Sequence, residues 1–94
     1  MYLHLGDEFV IPTKDLIGIF DIDAVTSSSV GRRYLQNAER QGRLHTVGDN
    51  IPKSFIVCGK FRDENVYLSP ISAATLLKRI LRGSISGDDA VSEV

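Results

Sequence analysis

The sequence predicts a small α+β domain with a mostly antiparallel sheet and two helices, in the order βββαββ(β)α. Three observations lead to this prediction. Short apolar or alternating runs end at turn signals rich in Gly, Pro and Asp, as strands do. Two longer segments carry apolar residues at helical spacing. A chain of 94 residues also fits one domain, because domains usually contain about 50 to 250 residues.

The first 22 residues predict three strands. Tyr2 to Leu5 alternates and stops at the turn signal Gly6-Asp7, and apolar residues resume at Phe9 to Ile11. This pattern predicts a hairpin. Leu16 to Ile22 is the most apolar run, so we expect it to be the most central strand of the sheet. Gly18 inside this run allows a bulge or a close backbone approach.

A helix is predicted between a serine-rich start and a glycine stop. Thr26 to Ser29 supplies several N-cap candidates, and Gly42 is typical of the residue just beyond a helix end. Apolar residues at helical spacing predict its buried side: Val30, Tyr34, Leu35 and Ala38. Residues 44–47 are then a candidate for a short extra strand.

The second half predicts a hairpin followed by a helix. Ser54 to Cys58 and Val66 to Leu68 read as paired strands around a charged loop. The last helix covers about residues 73–82, with Ser72 as N-cap and Gly83 as its end. Its inward side chains are expected to be Leu76, Leu77, Ile80 and Leu81. We assign residues 1–82 to the domain and interpret residues 83–94 as a disordered acidic tail.

Several classes of protein are excluded by the composition. No apolar run approaches the roughly 20 residues of a membrane span, and the first residues lack the features of a signal peptide. We therefore expect a cytoplasmic protein without membrane contact. One cysteine, Cys58, and two histidines are too few for a disulfide or a zinc site. We expect no metal, no cofactor and no small-molecule ligand, and a buried Cys58.

Catalytic motifs are also missing from the sequence. It has neither a glycine-rich phosphate loop nor a nucleophile elbow in a strand-turn-helix context. Asp21 and Asp23 lie two residues apart on the predicted third strand, so they would face the same side. A metal or acid–base pair is one interpretation, and a solvated strand end facing a basic neighbour is the favoured one. His4 and His45 are expected in structural or surface roles, so we predict that the chain is not an enzyme.

Charge is distributed unevenly along the chain. Residues 1–23 contain five acids and one base, residues 24–82 contain ten bases and four acids, and residues 83–94 contain three acids and no base. A basic middle between acidic ends indicates either a face that binds polyanions or subunits that attract one another. An ordinary solvated surface with chance clustering is the alternative.

The predicted first helix carries the most informative basic cluster. Arg32, Gln36, Arg40 and Arg43 stand at i, i+4, i+8 and i+11, along one side of a helix, and Arg33 is adjacent. Guanidinium groups are planar, permanently charged forks that match phosphate oxygens. Arginine is also common on solvated helix surfaces, which is the competing explanation. Further bases lie near the second hairpin and on the last helix: Lys53, Lys60, Arg62, Lys78, Arg79 and Arg82.

The order of several short segments resembles the RemA/RemB family of extracellular-matrix regulators, and its RemB branch in particular. The opening Met1 to Asp7 carries the most specific part of this resemblance, followed by the segments 10–15 and 17–21. It resumes at Pro52 to Val57 and continues through residues 67–72 and 75–79. The resemblance therefore spans about residues 1–80.

The resemblance implies a cytoplasmic DNA-binding regulator of biofilm-matrix genes. It further implies a fold similar to LytTR DNA-binding domains and ring-shaped oligomers around which DNA can run. In the RemA branch an Arg-Arg pair precedes the strand equivalent to residues 54–58 and is tied to DNA binding. Asn50 and Ile51 stand there in this chain. Arg32 and Arg33 lie where the RemA branch has a Lys-Arg pair on its helix.

The predicted function is that of a non-enzymatic transcriptional regulator that forms a homo-oligomer, as a ring, and binds double-stranded DNA. The residues expected to contact DNA phosphates are Arg32, Arg33, Arg40, Arg43 and Lys53. The alternative is a ring-forming scaffold that binds other proteins and no DNA. Its basic middle would then dock on the acidic first segment of a neighbouring subunit. Phe9, Ile11 and Phe55 are candidates for the core or for subunit contacts.

Overall fold

A four-stranded sheet forms the middle layer of the structure, and other elements pack on both of its faces. The computed structural model describes residues 1–60 and 62–84. Its strands are β1 (Tyr2–Gly6), β2 (Phe9–Pro12), β3 (Leu16–Asp21), β4 (Leu44–Thr46), β5 (Ser54–Lys60) and β6 (Asp63–Ser69). Its helices are α1 (Ile22–Thr26), α2 (Ser29–Arg40) and α3 (Ala73–Ser84), and a 3-10 turn covers Thr13–Asp15.

The four-stranded sheet has the strand order β3-β5-β6-β4. β3, β5 and β6 pair antiparallel, whereas β4 runs parallel to β6. β1 and β2 form the predicted hairpin as a separate antiparallel pair. The α+β class and the mostly antiparallel pairing are therefore confirmed, while the likeness to LytTR domains stays a prediction.

The hairpin β1–β2 and helix α3 cover one face of the sheet. Leu3, Leu5 and Ile11 from the hairpin and Leu76 from α3 pack in one cluster with Ile56 and Cys58 of β5. Because side chains alternate along a strand, these two β5 residues point to the same face. Two buried serines join this layer to the sheet, since Ser69 Oγ donates to Leu5 O at 2.6 Å and Ser54 Oγ donates to Ile71 O at 2.7 Å. Cys58 is buried as expected, and burial raises the pKa of its thiol.

Helices α1 and α2 cover the opposite face. Phe55, Val57 and Val66 form the buried floor, and Ala38 of α2 is fully buried against them. Val25 of α1 and residues 34–35 of α2 are half-buried around the same cluster. Of the three residues proposed for the core or for subunit contacts, Ile11 and Phe55 belong to the core, while Phe9 is 37% exposed and packs on Tyr67.

The ends of α2 confirm the local sequence signals. The Ser28 hydroxyl accepts a hydrogen bond from Gly31 N at 3.0 Å, which makes Ser28 the N-cap. Gly42 has a φ of +75°, the left-handed conformation that glycine adopts beyond a helix end. Gly31 has a different role: a Cβ at this position would overlap the carbonyl oxygen of Val25. A glycine is therefore required for α1 and α2 to pack this closely.

The predicted position of the third strand was wrong. β5 and β6 are the two inner strands, and the first five residues of β5 are buried, whereas β3 lies at the edge of the sheet. Helices α1 and α2 do not fully cover β3, so Ile17 is 55% exposed and Phe20 is 41% exposed. The expected bulge near Gly18 is present, and the Phe20 ring lies over this glycine.

The predicted end of that strand was also wrong, because a third helix begins there. Asp21 Oδ1 accepts hydrogen bonds from the backbone N of Asp23 at 2.9 Å and of Ala24 at 3.2 Å. Asp21 is therefore the N-cap of α1, which starts at Ile22. Asp21 and Asp23 do not share one face of a strand as the sequence suggested.

Three apolar side chains that were expected to face inward are exposed. Val30 is 73% exposed, Leu77 52% and Leu81 53%, whereas Leu76 and Ile80 pack in the core as predicted. The reason is that each helix contacts the sheet through a narrow stripe of side chains. Helix α3 also continues through Gly83 to Ser84 instead of ending at residue 82. The rest of the predicted tail, residues 85–94, lies outside the described residues, and no helix in the described ranges is long and apolar enough to cross a bilayer.

Candidate nucleic-acid interface

Helix α2 presents a stripe of arginines on the side that faces away from the sheet. Arg32, Arg33 and Arg40 are all exposed, while Gly31 and Ala38 on the opposite side are buried. Arg32 and Arg40 are eight residues apart, which corresponds to about 12 Å along a helix axis. We call Arg32, Arg33 and Arg40 the arginine stripe. It is a permanently charged surface on a rigid element.

The guanidinium groups of the stripe are only partly engaged within the chain. Arg32 Nη1 donates to Thr26 O at 2.8 Å, and Arg40 Nη1 donates to Asn37 Oδ1 at 3.2 Å. Arg33 makes no hydrogen bond or ion pair with the residues that the structure describes. Since each guanidinium has five N–H donors, most of the stripe's donors stay available to an external acceptor. The one internal hydrogen bond of Arg32 and that of Arg40 orient these side chains and leave their other N–H donors available.

Arg43 lies beyond the C-terminal end of α2 and turns towards strand β6. Its Nη1 donates to Glu64 O at 2.8 Å and lies 3.6 Å from Glu64 Oε2, and its Nε donates to Gln41 Oε1 at 2.7 Å. Tyr34 Oη donates to the same Glu64 carboxylate at 3.1 Å. Arg43 is thus held inside a small network that ties α2 to the second hairpin, and it is not brought together with the arginine stripe.

This network shifts two pKa values in opposite directions. The pKa of Glu64 is lowered, first by the hydrogen bond from its own backbone amide and then by Tyr34 and Arg43, with desolvation partly opposing them. The pKa of Tyr34 is raised, mainly by burial and further by the neighbouring Glu64 carboxylate. Both shifts favour an ionised Glu64 carboxylate next to a neutral Tyr34 hydroxyl.

Lys53 stands next to the first turn of α1, just before β5. Its carbonyl accepts from Ile22 N at 3.1 Å and its amide donates to Ser69 O at 2.8 Å, while its side chain is exposed. Arg32 Nη1 donates a hydrogen bond to the carbonyl oxygen of Thr26, the last residue of the same helix. Lys53 and Arg32 therefore contact opposite ends of α1, which has only five residues.

The segment before β5 does not carry the arginine pair that the resemblance to the RemA branch implies. Asn50 is exposed, and Ile51 is 85% exposed. An amide and an aliphatic side chain at this place offer no positive charge to a phosphate. Any electrostatic attraction of this surface for DNA therefore depends on the arginines of α2 and on Lys53.

An apolar groove next to α2 was missed by the sequence reasoning. It has a volume of about 420 Å³ and lies between β3, with Ile17 and Phe20, and the side of α2 that carries Val30 and Tyr34. The Phe20 ring stacks on Phe55 at a centroid distance of 4.9 Å and forms part of its wall. Nothing local in the sequence marks the groove, because it depends on β3 being an edge strand and on Val30 pointing outward.

The described residues do not include a cluster of side chains that could hold a metal ion. No three side chains of the types His, Cys, Asp and Glu converge in this part of the chain. His4 lies on β1, and His45 on β4 stacks on Tyr67 with its Nε2 3.1 Å from Asn65 Oδ1. His45 therefore lies on the edge strand opposite β3, which ends at Asp21, and His4 lies in the separate β1–β2 hairpin.

Comparison with known proteins shows which family the chain belongs to. The family model described as "RemA-like: Extracellular matrix regulatory protein A-like" matches residues 2–80. The chain belongs to this family. It is 38% identical over 79 residues to "Extracellular matrix regulatory protein B" of Bacillus subtilis (strain 168), an alignment that covers 84% of this chain and 89% of the relative. The resemblance to the RemB type is therefore confirmed.

Proposed function

We propose that this RemA-like chain is a non-enzymatic regulator of extracellular-matrix genes that assembles into a homo-oligomer and binds double-stranded DNA through the arginine stripe. The observation that carries the proposal is the exposure of Arg32, Arg33 and Arg40 on one outward side of α2. The name of the Bacillus subtilis relative, extracellular matrix regulatory protein B, supplies the regulatory context.

The chemistry of the stripe fits phosphate contacts better than base recognition. A guanidinium donates two parallel hydrogen bonds to phosphate oxygens, and such contacts fix the orientation of a protein on DNA without reading sequence. Each phosphate that a base neutralises adds about −0.9 to the slope of log affinity against log salt concentration. In this proposal Lys53 adds a flanking contact, and Arg43 acts mainly as a positioning residue because Glu64 holds it.

Assembly is part of the proposal because one domain offers few contacts. Three or four phosphate contacts from a single chain give weak binding, whereas several stripes on one oligomer bind the same duplex at a high effective concentration. A ring that repeats the stripe at its edge would place these contacts along a curved DNA path. Oligomerisation also adds buried surface to a chain whose small size limits its own core.

A second function, a protein-binding scaffold without DNA contact, is favoured by two specific observations. The apolar groove is a surface suited to protein contact, and the exposed pair Asn50 and Ile51 lacks the charge that the resemblance to the RemA branch implies there. In this alternative the arginine stripe would meet acidic residues of another subunit. Asp23 remains available for this role, whereas the Asp21 carboxylate already caps α1.

A salt titration of duplex DNA binding, followed by fluorescence anisotropy, tests the proposal. Binding should weaken steeply with salt, and the combined variant Arg32→Ala, Arg33→Ala and Arg40→Ala should lose about 0.9 of slope per lost phosphate contact. Lys14→Ala, which removes one exposed charge from the 3-10 turn, serves as the control and should bind as the parent does. If the assembled parent shows no binding at about 50 mM salt, where electrostatic contacts are strong, the scaffold function replaces the regulator.

A further inference from the structure

The apolar groove is built to receive a ridge of side chains. Its floor is formed by Phe55 and Val57 of β5, and its walls by Phe20 on one side and Val30 on the other. Among the described residues that line it, Glu64 at the β6 end is the charged one. Exposed aliphatic and aromatic side chains around a concave surface mark a site of protein contact more often than a solvated surface.

Helix α3 carries a matching convex feature. Ala74, Leu77 and Leu81 stand at i, i+3 and i+7, so they form a line along one side of the helix. Leu77 is 52% exposed and Leu81 is 53% exposed, although the neighbouring Leu76 is fully buried. We call Ala74, Leu77 and Leu81 the leucine ridge. The spacing i, i+3, i+7 is the pattern by which amphipathic helices anchor in apolar grooves.

The groove and the leucine ridge lie on opposite faces of the sheet. Groove residues Phe55 and Val57 face α1 and α2, while Leu76 of α3 packs with Ile56 and Cys58 on the other face. The α3 of a chain therefore cannot enter the groove of the same chain without unfolding. The two surfaces can meet only between two copies.

Charge complementarity supports a second copy as the partner. The bases Lys78 and Arg82 border the leucine ridge, and the described part of α3 carries no acid. At the groove, the exposed Asp23 lies on α1 two residues before the lining residue Val25, while the Glu64 carboxylate at its end is shared with Arg43 and Tyr34. The bases beside the ridge are attracted at long range to the acidic border of the groove, while the middle of the contact is apolar.

We propose that the leucine ridge of one copy packs into the groove of the next copy, so that the chain assembles head to tail. Such a contact is heterologous and generates a closed ring or an open filament, in contrast to a self-complementary dimer contact. The inference rests on the assembly in the proposed function and names the two surfaces that would produce it. It leaves the arginine stripe outside the contact, on the outward side of α2.

A complementation experiment tests the pairing directly. Val30→Asp places a charge in the groove, and Leu77→Asp places one on the ridge; both parent side chains are more than half exposed, so neither change should disturb the fold. Each variant alone should show self-association weakened by about tenfold or more, because an unpaired charge would be buried in the contact. Ile51→Asp, at an exposed apolar residue away from both surfaces, should assemble like the parent.

Mixing the two variants gives the decisive result. One variant keeps an intact ridge and the other an intact groove, so the mixture should form particles of twice the 10.4 kDa chain mass and grow no further. Sedimentation velocity measures this, with circular dichroism melting curves as the check on folding.

The contrary outcomes separate the inference from the proposed assembly. Variants that assemble like the parent, or a mixture of monomeric variants that stays monomeric, overturn the ridge-in-groove contact and leave the oligomer standing. A parent chain that sediments as a monomer at all concentrations overturns the assembly itself. If removing residues 85–94 from such a monomer produces oligomers, the occupant of the groove is the chain's own C-terminal segment.

Discussion

Helices α2 and α3 have the same length of 12 residues and lie on opposite faces of one sheet, but their outward sides differ in chemistry. The outward side of α2 is polar and carries the arginine stripe. That of α3 mixes bases with two half-exposed leucines, Leu77 and Leu81. A polar side that carries several bases suits a hydrated polyanion, whereas a side that mixes bases with apolar residues suits a protein surface that excludes water. The comparison teaches that the two proposed partners, DNA and a second copy of the chain, would contact the outward sides of two helices on opposite faces of the sheet, which do not overlap.

The largest expected effect is a difference in unfolding free energy between substitutions of the buried Leu76 and of the exposed Leu77 in α3. Leu76→Ala should lower the free energy of unfolding by about 2 to 5 kcal/mol, because its side chain is fully buried and leaves a cavity. Leu77→Ala should change it by less than about 0.5 kcal/mol at concentrations where the chain is monomeric. Urea unfolding of the two variants measures the difference. Equal losses would mean that Leu77 is a core residue and that the ridge does not exist.

A second test concerns the support of α2. Gly31→Ala should cost about 1 to 3 kcal/mol, since the added methyl group overlaps the Val25 carbonyl and pushes α1 away from α2. Because the groove and the stripe both depend on α2, this variant should weaken assembly and DNA binding together. Ser29→Ala at the exposed start of the same helix is the matched control. An unchanged urea midpoint for Gly31→Ala would contradict the close packing of α1 and α2.

The N-caps allow the two helices to be compared by the same substitution. Ser28 Oγ accepts from Gly31 N at 3.0 Å in α2, and Ser72 Oγ accepts from Thr75 N at 3.2 Å in α3. Replacing either serine by Ala should cost about 0.5 to 2 kcal/mol, and replacing it by Gly only a few tenths. Thermal unfolding of the four variants checks this. A loss with Gly as large as with Ala would show that the hydroxyl is not acting as a cap.

The smallest effect is a pH dependence at the C-terminal end of α2. The pKa of Glu64 is lowered in the folded state, so its contribution is complete above its unfolded pKa and is lost as pH falls through the folded value. Stability should therefore decline as pH drops below about 4.3, the usual glutamate pKa. In Glu64→Gln this part of the decline should be missing. Thermal unfolding from pH 6 to pH 3 gives the comparison, and identical curves for both proteins would show that Glu64 is not coupled to folding.

Local features of the fold were predictable because they depend on neighbouring residues. The N-caps Ser28 and Ser72 and the glycine at position 42 follow from the conformational preferences of a few residues. The paired strands follow from alternating apolar residues. The family was predictable from the first 21 residues and the ordered segments after them.

The arrangement of these elements in space was less predictable. The most apolar run, residues 16–22, was expected to be the most central strand, but β3 lies at the edge, because strand order depends on pairing partners distant in sequence. The same holds for the site. The spacing of the arginines indicated one side of a helix correctly for Arg32 and Arg40, but the contact of Arg43 with Glu64, 21 residues away, is invisible in a helical pattern. The exposure of Val30 and Leu77 likewise depends on how much sheet surface is left to cover.

The central claim is that α2 binds DNA and a different surface holds the oligomer together. One measurement tests it most directly: two-signal sedimentation of labelled duplex DNA with the parent and with the variant that carries Arg32→Ala, Arg33→Ala and Arg40→Ala. The account predicts that the variant keeps the oligomeric mass of the parent and no longer carries DNA with it. A variant that still carries DNA, or one that falls apart to the 10.4 kDa chain, would contradict the account.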